Sequence, residues 1–232
     1  MTVQTVLITG AAGHLGRAVA ATFAARGARR VLLGRNTDAL RQTFGADTAQ
    51  QLCLSADLLD SGSTQQAVQS ALGEMGQIDV LCHLAGGFAM GEPVHATGSG
   101  TLERMLDLNV RAFLHISEAV VPAMLAAGRG RIVTVGAFGA QRGGAHMGAY
   151  AASKAALQRL TESMSAELKG QGIHVNCVLP SIIDTADNRA AMPDADPSQW
   201  VAPAALADVI AFLGSDAARA IHGASIPVTG LV

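Results

Sequence analysis

The chain has 232 residues, a formal net charge of −2, and 50% hydrophobic against 15% charged residues. This charge and the lack of a basic tract exclude the broad electrostatic attraction needed to bind nucleic acid or an acidic membrane surface. No apolar run reaches the roughly 20 residues of a membrane helix. The seven histidines show no metal-ligand spacing, so we expect no metal site. The N-terminus enters a strand pattern at once, which predicts no signal peptide.

Three cysteines, Cys53, Cys82 and Cys177, are widely spaced and form no C-x-x-C pair. Cysteines that are odd in number and unpaired in spacing are typical of reduced core thiols. We therefore expect a cytoplasmic protein.

Short apolar runs alternate along the chain with stretches of helical periodicity. The predicted strands are Val3–Thr9, Val31–Leu33, Leu52–Ser55, Ile78–Leu84, Arg131–Val135, Ile173–Leu179 and Ala224–Val228. The predicted helices are one from about Leu15 to Gly27, then Ser61–Met75, Thr101–Ala127, Tyr150–Lys169 and Ala204–Leu213. The alternation predicts one α/β domain over residues 1–232: a three-layer, doubly wound, parallel seven-stranded sheet, the Rossmann fold.

The first strand ends in T-G-A-A-G-H-L-G, and a helical pattern begins within this turn. Glycines such as Gly10, Gly13 and Gly16 let the backbone approach a pyrophosphate, and a helix N-terminus offers free N–H groups. His14 stands where a further glycine is expected, beside Leu15, and we expect its side chain to face solvent. The alternative is a tight turn that binds no ligand.

The end of the second strand predicts which nicotinamide cofactor is used. An acidic residue there would bind the ribose hydroxyls of NAD(H), whereas an arginine accepts the 2′-phosphate of NADP(H). The chain has Gly34-Arg35-Asn36 and no carboxylate before Asp38, which favours NADP(H), with NAD(H) as the alternative. Arg35 is otherwise a surface arginine. Asp57, after the third strand, either contacts the adenine end or caps the next helix.

Tyr150, the only tyrosine, lies four residues before Lys154 at the start of a helical pattern. The two side chains share one helix face, and a neighbouring ammonium favours the phenolate. We therefore expect the pKa of Tyr150 to lie below its free value of about 10, which suits a general acid–base. Asn109 lies on the apolar stripe of its helix, where a buried amide needs partners. It either makes a structural hydrogen bond or holds a water near the lysine.

These motifs together resemble the short-chain dehydrogenase/reductase family. The resemblance rests on T-G-x-x-G-x-x-G after the first strand, A-G-G after the fourth, Asn109, Y-A-A-S-K at 150–154, and Pro180 to Thr185. It covers essentially the whole chain and implies an NAD(P)-dependent enzyme acting on a small molecule. By this resemblance Tyr150 is the acid–base, Lys154 binds the nicotinamide ribose and lowers the tyrosine pKa, and Asn109 anchors a proton relay. It also places five residues against the cofactor: Ala85, Gly86, Pro180, Ile183 and Thr185.

One position departs from the family in a way that bears on the chemistry. A serine usually stands thirteen residues before the tyrosine and donates a hydrogen bond to the substrate carbonyl, but here that position is Ala137. Losing one preorganised donor costs about 10²–10³-fold in rate. Three explanations stay open: the substrate does not need the donor, another group such as His146, Gln141 or Ser181 supplies it, or the protein is a poor enzyme.

Ala137 and the glycines spaced three residues apart are features that resemble the dihydropteridine reductase branch. Residues 184–200 also resemble that branch's segment over the substrate, and we expect a mobile lid whose apolar walls include Met192 and Trp200. A quinonoid pterin is electrophilic enough to accept hydride without a serine donor. That branch typically uses NADH and lacks the helix asparagine, whereas Arg35 and Asn109 are present here. His83 and Leu84 stand where the family commonly has two asparagines.

The leading hypothesis is an NAD(P)H-dependent reductase of a small, activated C=O or C=N compound, with Tyr150 as proton donor and His146 near the substrate. One alternative is a conventional ketone or 3-oxoacyl reductase with a substitute for the serine. Another is a nucleotide-binding scaffold or redox sensor with little catalysis. The resemblance also implies a homo-oligomer, a tetramer or dimer that pairs helices Thr101–Ala127 and Tyr150–Lys169.

Overall fold

The structure, a computed structural model, describes residues 3–232, so residues 1 and 2 of the predicted domain lie outside the described residues. Seven strands form one parallel sheet in the order β3-β2-β1-β4-β5-β6-β7. They are β1 Thr5–Thr9, β2 Arg29–Gly34, β3 Gln51–Ser55, β4 Val80–His83, β5 Gly130–Val135, β6 Ile173–Pro180 and β7 Ser225–Val228. The predicted doubly wound, seven-stranded parallel sheet is confirmed.

Eight α-helices connect and cover the strands. They are α1 His14–Ala25, α2 Thr37–Phe44, α3 Ser61–Met75, α4 Ser99–Leu106, α5 Ala112–Ala127, α6 Gly148–Leu168, α7 Ala186–Ala191 and α8 Pro203–Leu213. The pattern over 101–127 predicted one regular helix, but a π-helical turn, Asp107–Arg111, separates α4 from α5. The structure thus places a distortion where the sequence shows only continuous helical periodicity.

Helices α2 and α7 were not predicted. Helix α2 has eight residues, of which only Leu40 is buried, so it is too short for a helical period to repeat. It begins because the Asn36 side chain accepts a hydrogen bond from the Ala39 N–H at 3.0 Å. Helix α7 has six residues, none of them buried, and Thr185 caps it through Asn188 N–H. Capping starts both helices where periodicity gives no signal.

The apolar core lies in two layers, one on each face of the sheet. Val19 and Phe23 of α1 pack with Ile210 of α8 on one face. The other face is covered by α3, α5 and α6, whose buried residues include Val68, Phe113, Leu157 and Ile116. Burial on both faces explains why the strands are continuous apolar runs.

The helical stretch Ser99–Ala127 is long and apolar enough, by length and composition alone, to cross a membrane, with a mean hydropathy of 1.4 over its most apolar window. Its π-turn is counted within that length. Phe113, Ile116, Val120 and Met124 of this stretch are fully buried in the core. Such contacts are those of a core helix packed on a sheet.

Candidate active site

The glycine-rich turn between β1 and α1 lies at the carboxyl edge of the sheet. Gly10 has φ +66°, and a Cβ on Gly16 would lie 2.3 Å from the Gly10 carbonyl oxygen. Gly13, which precedes α1, has no side chain to cap the helix, so the first-turn N–H groups stay available to an anion. The glycine turn and the free N–H groups of the first turn of α1 therefore fit the pyrophosphate of a dinucleotide.

His14, at the start of α1, faces partly to solvent as expected and also reaches the lid segment. Its Nε2 atom lies 3.7 Å from Oδ2 of Asp187 in α7, with both side chains largely exposed. Leu15, by contrast, packs against the core. The glycine turn and the lid are thus in contact beside the predicted pyrophosphate position.

The lid segment, residues 184–200, is held by hydrogen bonds at both ends. Ile182 accepts a hydrogen bond from Val201 N–H, and Ile183 accepts one from the Asn188 side chain at 2.8 Å. Pro180, Ile183 and Thr185 lie at or just beyond the end of β6, as the cofactor prediction requires. Of the two expected wall residues, Met192 is half-buried and Trp200 is only 7% exposed.

At the adenosine end, Arg35 is exposed and forms no ion pair among residues 3–232. It lines a cavity of about 530 Å³ together with Arg104 of α4, which the sequence did not single out. Glu103 and Asp107 line the same cavity. Two guanidinium groups and two carboxylates thus line one cavity next to the end of β2.

Asp57 does not cap α3. Asp60 does so, accepting the Ser63 N–H at 3.0 Å. The Asp57 carboxylate instead accepts the Leu59 N–H at 3.0 Å and is exposed. The alternative that Asp57 caps the helix is therefore wrong, and its contact with the adenine end stays a prediction.

Asn109 lies in the π-turn and is fully buried. Its Oδ1 accepts Gly87 N–H at 2.8 Å, and its Nδ2 donates to Gly87 O at 3.0 Å and to Ser153 Oγ at 2.9 Å. A Cβ on Gly86 would lie 2.6 Å from Asn109 Oδ1 and 3.2 Å from Lys154 Nζ. The asparagine makes structural hydrogen bonds and lies beside the lysine, and Ala85-Gly86 must stay small to permit this.

Tyr150 and Lys154 lie in the first turns of α6. Lys154 is buried, donates from Nζ to the Val135 carbonyl at 2.8 Å, and has its pKa lowered by burial to about 8. Burial raises the pKa of Tyr150. This direction is opposite to the expectation, because desolvation of the phenol outweighs the ammonium, which is directed at a backbone carbonyl.

Ala137 lies against the tyrosine. It forms a buried cluster with Ala140 and Ala151, and Tyr150 packs on it. Methyl groups therefore surround the phenol where a hydroxyl donor would otherwise stand.

The three suggested substitutes for the serine lie in different environments. Ser181 Oγ already donates to the Thr229 carbonyl at 2.7 Å, and Gln141 is exposed. His146 has φ +62° and lines a cavity of about 190 Å³ that also includes Met147 and Ala149, the residue before Tyr150. A non-glycine residue at positive φ costs free energy and often marks a functional site. The role of His146 as the substitute donor stays a prediction.

Phe88 was missed by the sequence. It follows A-G-G directly, and its ring lies 4.9 Å from that of Tyr150 at an interplanar angle of 74°. Gly91 N–H donates to His146 O at 2.9 Å, which ties the loop carrying Phe88 to the loop before α6. An aromatic residue just after the A-G-G motif is the signal that identifies it.

His83, at the end of β4, is fully buried, and its Nδ1 lies 3.1 Å from Thr9 Oγ1. That hydroxyl oxygen accepts the N–H groups of Leu84 and Ala85, so its own proton is donated to Nδ1. The proton of neutral His83 is therefore on Nε2. Burial, with a smaller contribution from Lys154, lowers the pKa of His83 to about 3.

Within residues 3–232 no group of three or more His, Cys, Asp or Glu side chains is arranged to hold a metal ion. A doubly wound parallel sheet with a glycine cradle at its carboxyl edge, next to a Tyr–Lys pair, defines a dinucleotide-dependent oxidoreductase of the Rossmann type.

Comparison with known proteins identifies the family. The short chain dehydrogenase family matches residues 4–196. Sorbitol dehydrogenase of Cereibacter sphaeroides is 34% identical over 182 residues, covering 78% of this chain and 71% of its own. The 3-oxoacyl-(acyl-carrier-protein) reductase FabG of Escherichia coli is 30% identical, over 97% and 95% of the two chains.

The 3-ketoacyl-(acyl-carrier-protein) reductase of Brucella melitensis, solved as a complex with NADH, superimposes with a TM-score of 0.87 at 25% identity, over 98% and 97% of the two chains. The chain belongs to the short-chain dehydrogenase/reductase family and is an NAD(P)-dependent enzyme of that family.

Proposed function

We propose that the chain is an NAD(P)H-dependent reductase of a small, activated C=O or C=N compound, with Tyr150 as the proton donor. The observation that carries this proposal is the position of Ala137: it belongs to a cluster of buried alanines against which Tyr150 packs, and it offers no hydroxyl. A site that offers a proton but no hydroxyl donor at this position suits substrates that are already electrophilic.

The chain's own residues divide the work. A reduced nicotinamide bound along the sheet edge would supply the hydride. Lys154, held by the Val135 carbonyl and close to Asn109, would bind the nicotinamide ribose and carry the proton path to Tyr150. The first-turn N–H groups of α1 would hold the pyrophosphate, and Ile183 and Thr185 would contact the cofactor after β6.

NADP(H) is the proposed cofactor. Arg35 and Arg104 line one cavity at the adenosine end, and no acidic residue ends β2. NAD(H) is the alternative, since the Brucella melitensis relative was solved with NADH.

The test is turnover of a vicinal diketone with NADPH and with NADH, in wild type and in Tyr150→Phe. We expect faster turnover with NADPH. We also expect a loss of about 10²–10⁴-fold in Tyr150→Phe, because the general acid is gone. Fluorescence titration should show cofactor binding unchanged in the variant, since the phenol hydroxyl alone is removed. Wild-type turnover by Tyr150→Phe would refute the mechanism, and cofactor binding without any turnover would favour a scaffold or sensor.

A conventional ketone or 3-oxoacyl reductase is the second candidate. It is favoured by the FabG relative, which matches nearly the full length of both chains. In this case His146 would replace the serine donor, because Ser181 is engaged with Thr229. A quinonoid C=N substrate, as in the dihydropteridine reductase branch, is instead supported by Ala137 and by the glycine spacing.

Two further properties are proposed. A cytoplasmic location is supported by three free, buried cysteines. A homo-oligomer, dimer or tetramer, is supported by exposed leucines on the helical stretch Ser99–Ala127, namely Leu102, Leu114 and Leu125.

A further inference from the structure

We propose that Phe88 makes the site selective for flat, conjugated carbonyl compounds, whose ring stacks on the exposed surface of Phe88 beside Tyr150. This inference rests on the proposed function and names its substrate class. The Phe88 ring meets the Tyr150 ring at 4.9 Å in an edge-to-face arrangement, yet Phe88 is 58% exposed. More than half of an aromatic side chain thus remains uncovered next to the proton donor.

A planar ligand would cover that surface. Aromatic rings prefer edge-to-face or offset-stacked neighbours with centroids about 4.5–7 Å apart. Phe88 already uses one such contact, with Tyr150, and its uncovered surface is free for a second. A conjugated ring stacked there would bring the carbonyl it bears to the Tyr150 side of the cleft.

The position of Phe88 is fixed by its loop. Gly91 N–H donates to the His146 carbonyl at 2.9 Å. Val94 packs so closely on Gly148 that a Cβ there would lie 2.7 Å from Val94 Cγ2. Two contacts therefore join the Phe88 loop to the residues before Tyr150. A surface that is already ordered binds with a smaller entropy cost.

The chemistry of the site matches this substrate class. Ala137, Ala140 and Ala151 offer methyl groups around Tyr150, so the carbonyl must be activated by its own substituents. A second carbonyl next to the reacting one withdraws electrons and so supplies this activation, whereas a flat ring on the substrate supplies the surface that stacks on Phe88. In the reaction the carbonyl carbon gains a hydride from the reduced nicotinamide, which is oxidised, and the oxygen gains the Tyr150 proton. The C=O bond becomes CH–OH.

A cavity lies next to the loop that carries Phe88, although neither Phe88 nor Tyr150 lines it. It measures about 190 Å³ and is lined by Ala89 and Met90, which follow Phe88, and by Thr97, Thr101 and Arg104. A polar substituent of the substrate that extends past Phe88 would meet the hydroxyls of Thr97 and Thr101 and the carboxylate of Glu92 there.

The test compares phenyl methyl diketone, which has a flat ring, with cyclohexyl methyl diketone, which has a puckered one. Their different intrinsic reactivity is the same for every variant, so it cancels when the ratio of each variant is compared with that of wild type. In Phe88→Leu we expect the phenyl-to-cyclohexyl ratio of kcat/KM to fall about two- to tenfold, the range of one aromatic pair. Phe138→Leu is the matched control, because Phe138 is an exposed phenylalanine of the neighbouring loop that pairs with no aromatic ring in the part of the chain described. In Phe138→Leu the phenyl-to-cyclohexyl ratio of kcat/KM should equal that of wild type.

Calorimetric binding of naphthol, a flat and unreactive ligand, provides a readout that needs no turnover. With NADP⁺ bound, the affinity for naphthol should fall by a similar factor in Phe88→Leu and stay unchanged in Phe138→Leu. Equal melting temperatures of the variants would show that both are folded. An unchanged kcat/KM ratio with unchanged naphthol affinity overturns the role of Phe88. Absence of turnover of either diketone by wild type overturns the proposed function instead, and the naphthol titration then still decides on Phe88.

Discussion

In the cofactor half of the cleft, Gly16 and Gly86 bring backbone and polar atoms so close together that no Cβ fits, and Asn109 and Lys154 are buried. In the substrate half, Phe88 and His146 are exposed, and their loops are joined by few contacts. The shape of the cofactor half is fixed by close backbone contacts that leave no room for a Cβ, and by buried hydrogen bonds. The shape of the substrate half depends on which side chains extend from its loops.

This difference teaches where variation is tolerated. A side chain added to the cofactor half meets main-chain atoms that cannot move aside without disturbing the sheet edge. A changed side chain in the substrate half alters what the cleft prefers to bind but leaves the packing intact. The three substitutions below test this contrast, in order of expected effect.

Gly16→Ala should have the largest effect, because its Cβ would lie 2.3 Å from the Gly10 carbonyl oxygen and 2.5 Å from that of Ala11. We expect a loss of about 3 kcal/mol in the free energy of unfolding, near the upper end for overpacking. Urea denaturation measures it.

Gly73→Ala is the matched control, since Gly73 lies exposed within α3 with nothing within 4 Å of its Cβ position. An alanine there should stabilise the protein by up to about 1 kcal/mol. Equal stability of Gly16→Ala and wild type would contradict the contrast between the halves.

Ala137→Ser addresses the substrate half. If the missing hydroxyl limits the range of substrates, restoring it should raise kcat/KM for an unactivated cyclic ketone by about 10-fold or more, part of the value of one oxyanion donor. The gain with a vicinal diketone should be smaller, because that carbonyl is already activated. Steady-state kinetics with both substrates measures the difference.

Ala140→Ser, in the same methyl cluster, controls for polarity alone and should give no gain. An equal gain from both serines, or none from Ala137→Ser, would mean that the alanine does not define the chemistry.

At neutral pH His83→Asn should have the smallest effect of the three, and its main consequence is a change in how stability depends on pH in acid. In wild type the pKa of His83 falls from 6.5 to about 3 on folding, through burial and then through Lys154. Between these values the unfolded chain binds a proton that the folded protein does not. Wild type should therefore lose up to about 1.4 kcal/mol of stability per pH unit as the pH falls from 6.5 toward 3.

The asparagine does not titrate, so His83→Asn should show a shallower loss over this window in urea denaturation at stepped pH. Above pH 7 the difference in stability between wild type and His83→Asn should not change with pH. Parallel curves below pH 6.5 would show that His83 is not held neutral by the fold.

Much of the cofactor half could be predicted from the sequence. Gly10, Gly13 and Gly16 follow a buried strand and open a helix, a local pattern with a local cause. Tyr150 and Lys154 share a helix face because of their spacing. Helix α2 was not predicted, because its eight residues span little more than two turns and give a helical period no room to repeat.

The sequence by itself determined the seven strands and their alternation with helices, the glycine cradle, the Tyr–Lys pair and the absence of the usual serine. These depend on residues that are close in the chain, so periodicity and spacing suffice. Only the tertiary structure decided the direction of the Tyr150 pKa, because burial depends on distant elements. The fold likewise brought Phe88 to Tyr150, 62 positions later in the sequence, through a parallel sheet whose neighbouring strands place their carboxyl ends at one edge.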